Sequence, residues 1–249
     1  MVAGGLGDDV YIVKIDANGS KVWEKIYAGT SQQRAWAITD SGDGGWVLTG
    51  NGNGEKDVYV LKIDSEGNKV WEKTYGAADR DYGYGAAVVR NGEGFVVAGF
   101  IRIYSTPYWH LYLLGLDGYG NKTWEKIYSA TSTLRANAII RSGEGFIVVG
   151  MLGEQAYLLK IDSHGDKVWE TTNPYCAEAT SIAEAGDGGF VVVGSGFYVA
   201  RIKGTPYIPV PELPLGTMWC IALVAASIGC CRKTRRALWQ LAGSGFRNA

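Results

Sequence analysis

KIDSEGNKVWEKTY, Lys62 to Tyr75, occurs in four versions along this chain. The others are KIDANGSKVWEKIY (Lys14–Tyr27), GLDGYGNKTWEKIY (Gly115–Tyr128) and KIDSHGDKVWETTN (Lys160–Asn173). Their tryptophans, Trp23, Trp71, Trp124 and Trp169, are 48, 53 and 45 residues apart. Self-similarity at this period marks a repeat architecture, in which each unit buries its apolar face only against its neighbours. In each version two runs alternate apolar and polar residues, with many β-branched and aromatic types, around a short turn. That pattern predicts a hairpin of half-buried strands. The turn Asp supplies a carboxylate that caps backbone N–H groups, and the turn Gly is free to take positive φ.

A second hairpin alternates with the first. It reads RAWAITDSGDGGWVLTG at Arg34–Gly50, and its counterparts are Tyr84–Gly99, Arg135–Gly150 and Glu178–Gly194. Four short antiparallel strands in about 48 residues is the size of a β-propeller blade. Small residues crowd one strand of each repeat: Ala35 and Ala37; Gly85, Ala86 and Ala87; Ala136 and Ala138; Ala179 and Ser181. Space narrows toward a propeller axis, so this strand is expected to be innermost. The four tryptophans then fall on the outermost strand, covering the groove between neighbouring blades. The phase is offset at both ends. Val2–Gly5 reads as a second strand with no first, and Phe197–Lys203 as a third with no fourth. The expected count is three, four, four, four and three strands, about four to five blades in a ring that need not be complete. Met1 falling mid-blade, without a signal peptide's basic start and apolar run, reads as a piece of a longer propeller.

The bulk numbers agree with a turn-rich all-β chain. There are 36 glycines in 249 residues, about twice the usual share of roughly 7%. Apolar residues make up 47%, enough for a core. Residues 213–249 hold Arg232, Lys233, Arg235, Arg236 and Arg247 and no acid, leaving 19 basic against 25 acidic residues before them. That acidic balance excludes nucleic acid as a natural partner. Cys176, Cys220, Cys230 and Cys231 form no disulfide framework or zinc pattern, and no metal or other cofactor is expected.

The C-terminal stretch differs in kind. GTPYIPVPELP, residues 204–214, is a stiff Pro-rich spacer. LGTMWCIALVAASIGCC, residues 215–231, is uncharged and strongly apolar, at the short limit for a transmembrane helix. The basic cluster after it predicts a cytoplasmic tail, residues 232–249, with the propeller (residues 1–203) outside the cell membrane. PVPELP, a short apolar span and an Arg-rich stop together resemble the C-terminal sorting signals of archaeal surface proteins of the PEF-CTERM type. The resemblance implies cleavage by a sortase-like membrane enzyme near Pro211, Glu212 and Pro214. Leu213 stands where that family has Phe, and thirteen residues follow the basic stop. The propeller repeats resemble, more generally, those of secreted bacterial and archaeal β-propeller proteins, which implies no single ligand.

Chemistry is sparse. The KID-to-Trp string resembles the tryptophan-docking repeat of quinoprotein dehydrogenases, with its Asp-to-Gly stretch one residue shorter. That resemblance implies blade packing, not quinone binding. The turn aspartates offer two or three oxygens each, short of the six to eight that calcium takes. His110 and His164 belong to different repeats, and no catalytic triad or carboxylate pair is assembled. Catalytic residues are therefore not assigned. Recognition is expected in the variable loops at one end of the propeller. The longest, FIRIYSTPYWH at 100–110, carries Tyr104, Tyr108 and Trp109, and a neighbouring loop adds Tyr82 and Tyr84. These five are the candidate ligand-binding residues, suited to stacking on sugar rings or anchoring a protein. Asn18 and Asn121 head N-x-Ser/Thr sequons. The reading is a membrane-anchored cell-surface module that binds a protein or glycan. The alternatives are an exported propeller hydrolase or lyase, or a truncated fragment of a larger surface protein.

Overall fold

A computed structural model describes residues 1–202 other than 30, 53, 55, 56, 77–79, 186 and 187. The predicted spacer, apolar span, basic tail and sorting residues Pro211, Glu212 and Pro214 lie outside the described residues. Eighteen strands are described, grouped into five antiparallel sheets. The first sheet holds β1 (Val2–Leu6), β2 (Asp9–Ile15) and β3 (Lys21–Tyr27). The second holds β4 (Arg34–Asp40), β5 (Trp46–Gly52), β6 (Asp57–Ile63) and β7 (Lys69–Tyr75). The third holds β8 (Arg80–Asn91), β9 (Gly94–Ile103), β10 (Trp109–Leu116) and β11 (Lys122–Tyr128). The fourth holds β12 (Leu134–Ser142), β13 (Gly145–Leu152), β14 (Gln155–Ile161) and β15 (Lys167–Asn173). The last holds β16 (Ala179–Glu184), β17 (Phe190–Gly194) and β18 (Tyr198–Ile202). Strand order follows chain order in every sheet, the meander expected from the repeat.

The chain divides into two compact units. One contains Met1–Ile182 with Gly194–Gly196; the other contains Ala183–Val193 and the residues from Phe197 onward. Within the first unit, the core lies between consecutive sheets. Tyr59, Leu61 and Ile63 on one face of β6 pack with Val10 and Ile12 of β2. Val58 and Val60, on its other face, pack with Tyr112, Leu114 and Leu116 of β10. Leu111 and Leu113 in turn pack with Tyr157, Leu159 and Ile161 of β14. Burial on both faces explains why the third strand of each repeat reads as an almost continuous apolar run. Each fully buried side chain of this size contributes about 1.5–3 kcal/mol.

Besides the turn glycines at positive φ, two positions of each complete four-stranded sheet need glycine for room. In the first strand of sheets two, three and four, one residue at the same place bulges out of register: Trp36, Ala86 and Asn137; β8 has a second shift between Arg80 and Tyr82. The bulge drives a carbonyl against the facing strand, and only a glycine leaves room. A Cβ on Gly50, Gly99 or Gly150 would collide with the carbonyl oxygen of Arg34, Tyr84 or Arg135. One turn earlier, Gly45, Gly94 and Gly145 face the carbonyls of Ile63, Leu116 and Ile161 in the same way.

The recurring tryptophan motif works as a latch. The aspartate of each turn accepts two backbone N–H bonds, as Asp64 does from Glu66 and Asn68 at 2.9 and 2.8 Å. These donors hold the carboxyls of Asp64, Asp117 and Asp162 below the usual range, led in each by the N–H four residues on. The outer strand of one sheet then grips the turn of the next. Tyr27, Tyr75 and Tyr128 donate their hydroxyls to the carbonyls of Gly67, Gly120 and Gly165 at 2.6, 2.6 and 2.5 Å. Lys25, Lys73 and Lys126 reach Asn68, Asn121 and Asp166 of the same turns at 2.8, 2.8 and 2.5 Å. Trp23, Trp71 and Trp124 lie over the three turn glycines, which are buried. Gly19, in the turn of the first sheet, is exposed and has nothing within 4 Å of its Cβ position. The fourth copy departs from the pattern, with Thr171 and Asn173 where the others have Lys and Tyr.

Candidate functional site

Because the scaffold repeats, each sheet serves as a control for the others. Positions that repeat are explained by packing, and positions that do not are free for other work. The third sheet stands out: β8 and β9 span 12 and 10 residues, against 7 in each strand of the second sheet. The extra length lies at the end where the first strand begins and the second strand ends. Here Tyr84 pairs with Phe100, and Trp109 pairs with Arg102. The positions matching Phe100 hold Asn51 and Met151 in sheets two and four, and those matching Trp109 hold Lys56 and Glu154.

These rings form one wall. Tyr84 stacks on Phe100 with centroids 5.0 Å apart. Trp109 stands edge-on to both, 5.7 Å from Tyr84 and 5.3 Å from Phe100. Tyr82 closes the row 5.9 Å from Trp109 and is 37% exposed. Such tilted and edge-to-face pairs each contribute about 0.5–1.5 kcal/mol beyond their burial. The next sheet adds a cation. The guanidinium of Arg135, near the start of β12, lies 5.1 Å from the ring centres of both Phe100 and Trp109.

Of the five candidate ring residues, then, Tyr82, Tyr84 and Trp109 come together and share one face. Tyr104, 62% exposed, and Tyr108, 39% exposed, lie on the loop beyond and make no ring contact with the wall. Phe100 and Arg135 belong to the wall but are not among the sequence candidates. Both were reachable in principle, since each breaks the repeat or meets a position that does. Reading them required knowing that the strands of two sheets adjoin at this end. Trp36 is a further exposed aromatic at the same end, 56% exposed on the bulge of β4, with its indole N–H donated to Asn51 at 2.5 Å.

Other sequence candidates resolve as scaffold or surface. His110 is buried beside Thr106, with a 2.6 Å contact, and burial lowers its pKa; His164 is exposed in the turn of the fourth sheet. Among the described residues no group of three or more His, Cys, Asp or Glu side chains could hold a metal. Nor, among them, is any helix long and apolar enough to cross a membrane. Asn18 is exposed, whereas Asn121 is engaged by Asp117 and Lys73.

No protein-family model matches the chain, and no curated protein matches it in sequence. Solved structures do match. A protein of unknown function from Bacteroides caccae superposes with a TM-score of 0.57 at 12% identity, over 85% of this chain and 70% of that one. The Dos1 propeller gives 0.55 at 14%, and the WD40 β-propeller domain of Doa1 gives 0.51 at 13%. The fold is a β-propeller. These two propellers are covered over 56% and 58% of their length, so this chain spans somewhat more than half of each. At such identities the likeness extends to the fold and not to any ligand.

Proposed function

We propose that this propeller is a cell-surface, membrane-attached binding module that engages a protein or glycan through the aromatic wall of its third blade. The observation that carries the reading is the wall's singularity. In a scaffold whose blades otherwise repeat, Tyr84, Phe100 and Trp109 occupy positions that hold other residue types in the blades on either side. Aromatic groups concentrated at one end of a rigid scaffold are common anchors of recognition. Attachment rests on the apolar stretch 215–231 and the five basic residues after it. Processing near Pro211, Glu212 and Pro214 follows from the PEF-CTERM-like layout alone.

Two measurements test the reading. The full chain in detergent is applied to an array of glycans and surface proteins. Retention that is lost in Trp109→Ala, with no product released, supports it; turnover of a retained ligand refutes a pure binding role. Expressed in a host that exports it, the chain should stay with membranes through alkaline carbonate washing. Release into the wash would sink the anchoring claim.

A further inference from the structure

Resting on the reading of the aromatic wall as a binding surface, we propose that the ligand is a carboxylate-bearing saccharide, with Arg135 receiving its acid group. An arginine carries five N–H donors in a planar fork suited to a carboxylate. Among the described residues the Arg135 guanidinium makes no ion pair and no hydrogen bond; it lies over the rings of Phe100 and Trp109. Its Nε is buried without an acceptor. A half-buried guanidinium left in that state is costly, and an incoming anion removes the cost.

The ring faces also hold the fork. Held 5.1 Å from the centres of two rings set at right angles, the guanidinium keeps less side-chain freedom to lose on binding. The same surface explains the preference for a sugar. Tyr82 is exposed and Tyr84 and Trp109 are partly so, Tyr82 and Tyr84 carry hydroxyls, and exposed Tyr104 and Tyr108 extend the surface outward. A pyranose lays its C–H face on such rings while its own hydroxyls stay in water. The repeat supplies the comparison: Arg34 holds the matching position in the second sheet and lies beside Gly5 of the preceding sheet, where Arg135 meets the preceding sheet's rings.

The probes are tetragalacturonic acid, its fully methyl-esterified form and tetraglutamate, titrated into the full chain in detergent with tryptophan fluorescence and calorimetry as readouts. The acid saccharide should bind about tenfold or more tightly than the ester, the factor expected of one charge-assisted fork contact. The preference should shrink as salt is raised. Arg135→Gln should abolish it while leaving weak ester binding, and Arg135→Lys should restore part of it. Arg34→Gln should leave it unchanged, and Trp109→Ala should weaken both saccharides. Circular dichroism on each variant separates loss of binding from loss of fold. Equal binding of acid and ester, still lost in Trp109→Ala, overturns the carboxylate assignment and leaves the wall as the site. Tetraglutamate binding as tightly as the sugar acid overturns the saccharide class. Binding of neither saccharide overturns the proposal, and retention of any ligand that ignores Trp109→Ala overturns the site itself.

Discussion

Gly67→Ala tests whether the blades are joined by the tryptophan latch. Gly67 and Gly19 occupy the same place in successive turns, with φ of +77° and +84°. An alanine at either pays the same left-handed strain, about 1–2 kcal/mol. Only at Gly67 does the new methyl also meet the preceding sheet. It would lie 2.7 Å from Cη2 and 3.0 Å from Cζ2 of Trp23, and 3.1 Å from Cδ of Lys25. Carbon contacts are comfortable at about 3.5–4.0 Å, so the indole must withdraw by about 1 Å. Overpacking of that kind costs about 1–3 kcal/mol. Gly67→Ala should therefore lose about 2–5 kcal/mol and Gly19→Ala about 1–2. Urea unfolding followed by circular dichroism reads the difference as a shift in midpoint at unchanged slope. Trp23→Leu removes the colliding edge, so the double variant should lose less than the sum of the singles, by about 1 kcal/mol or more. Equal losses at the two glycines, or strict additivity in the cycle, would refute the latch.

Three further outcomes follow from the same geometry. Gly99→Ala drives a methyl into the carbonyl of Tyr84 and should cost at least about 3 kcal/mol, while Gly4→Ala, with open space around it, should be neutral or stabilise by up to about 1 kcal/mol; thermal melting compares them. Burial pushes the Tyr27 and Tyr128 hydroxyls up to about 12, above an unfolded value of roughly 10. Their contribution is whole below about pH 10 and lost as pH rises through about 12, so alkaline unfolding should be displaced in Tyr27→Phe; ultraviolet phenolate titration showing both at ordinary values would contradict this. Asn121→Ala removes the amide that joins Asp117 to Lys73 and should cost about 0.5–1 kcal/mol, whereas Asn18→Ala should lie within about 0.5 kcal/mol of the parent by denaturant melting.

The strand count and phase were legible before any coordinates. Alternation at Lys62–Tyr75 and the glycines around it are local signals, and a repeated local signal is read four times over. The match extends to the three described strands in each of the first and last sheets. The site was half legible. Tyr82, Tyr84 and Trp109 drew notice as aromatics in irregular stretches, but nothing local separates them from Tyr104 and Tyr108, which make no ring contact with the wall.

By itself the sequence determined the blade: which residues pair, where turns fall, and which strand is small. These depend on neighbours within about ten residues, and period-two and turn chemistry record them directly. Tertiary structure alone decided what meets across blades. It set Trp23 over Gly67, 44 positions away, and Arg135 over Phe100 and Trp109. Such contacts depend on the distance and twist between packed sheets, which no local pattern encodes. The tryptophan repeat thus announces a hairpin in the sequence and becomes a latch only once the next sheet is in place.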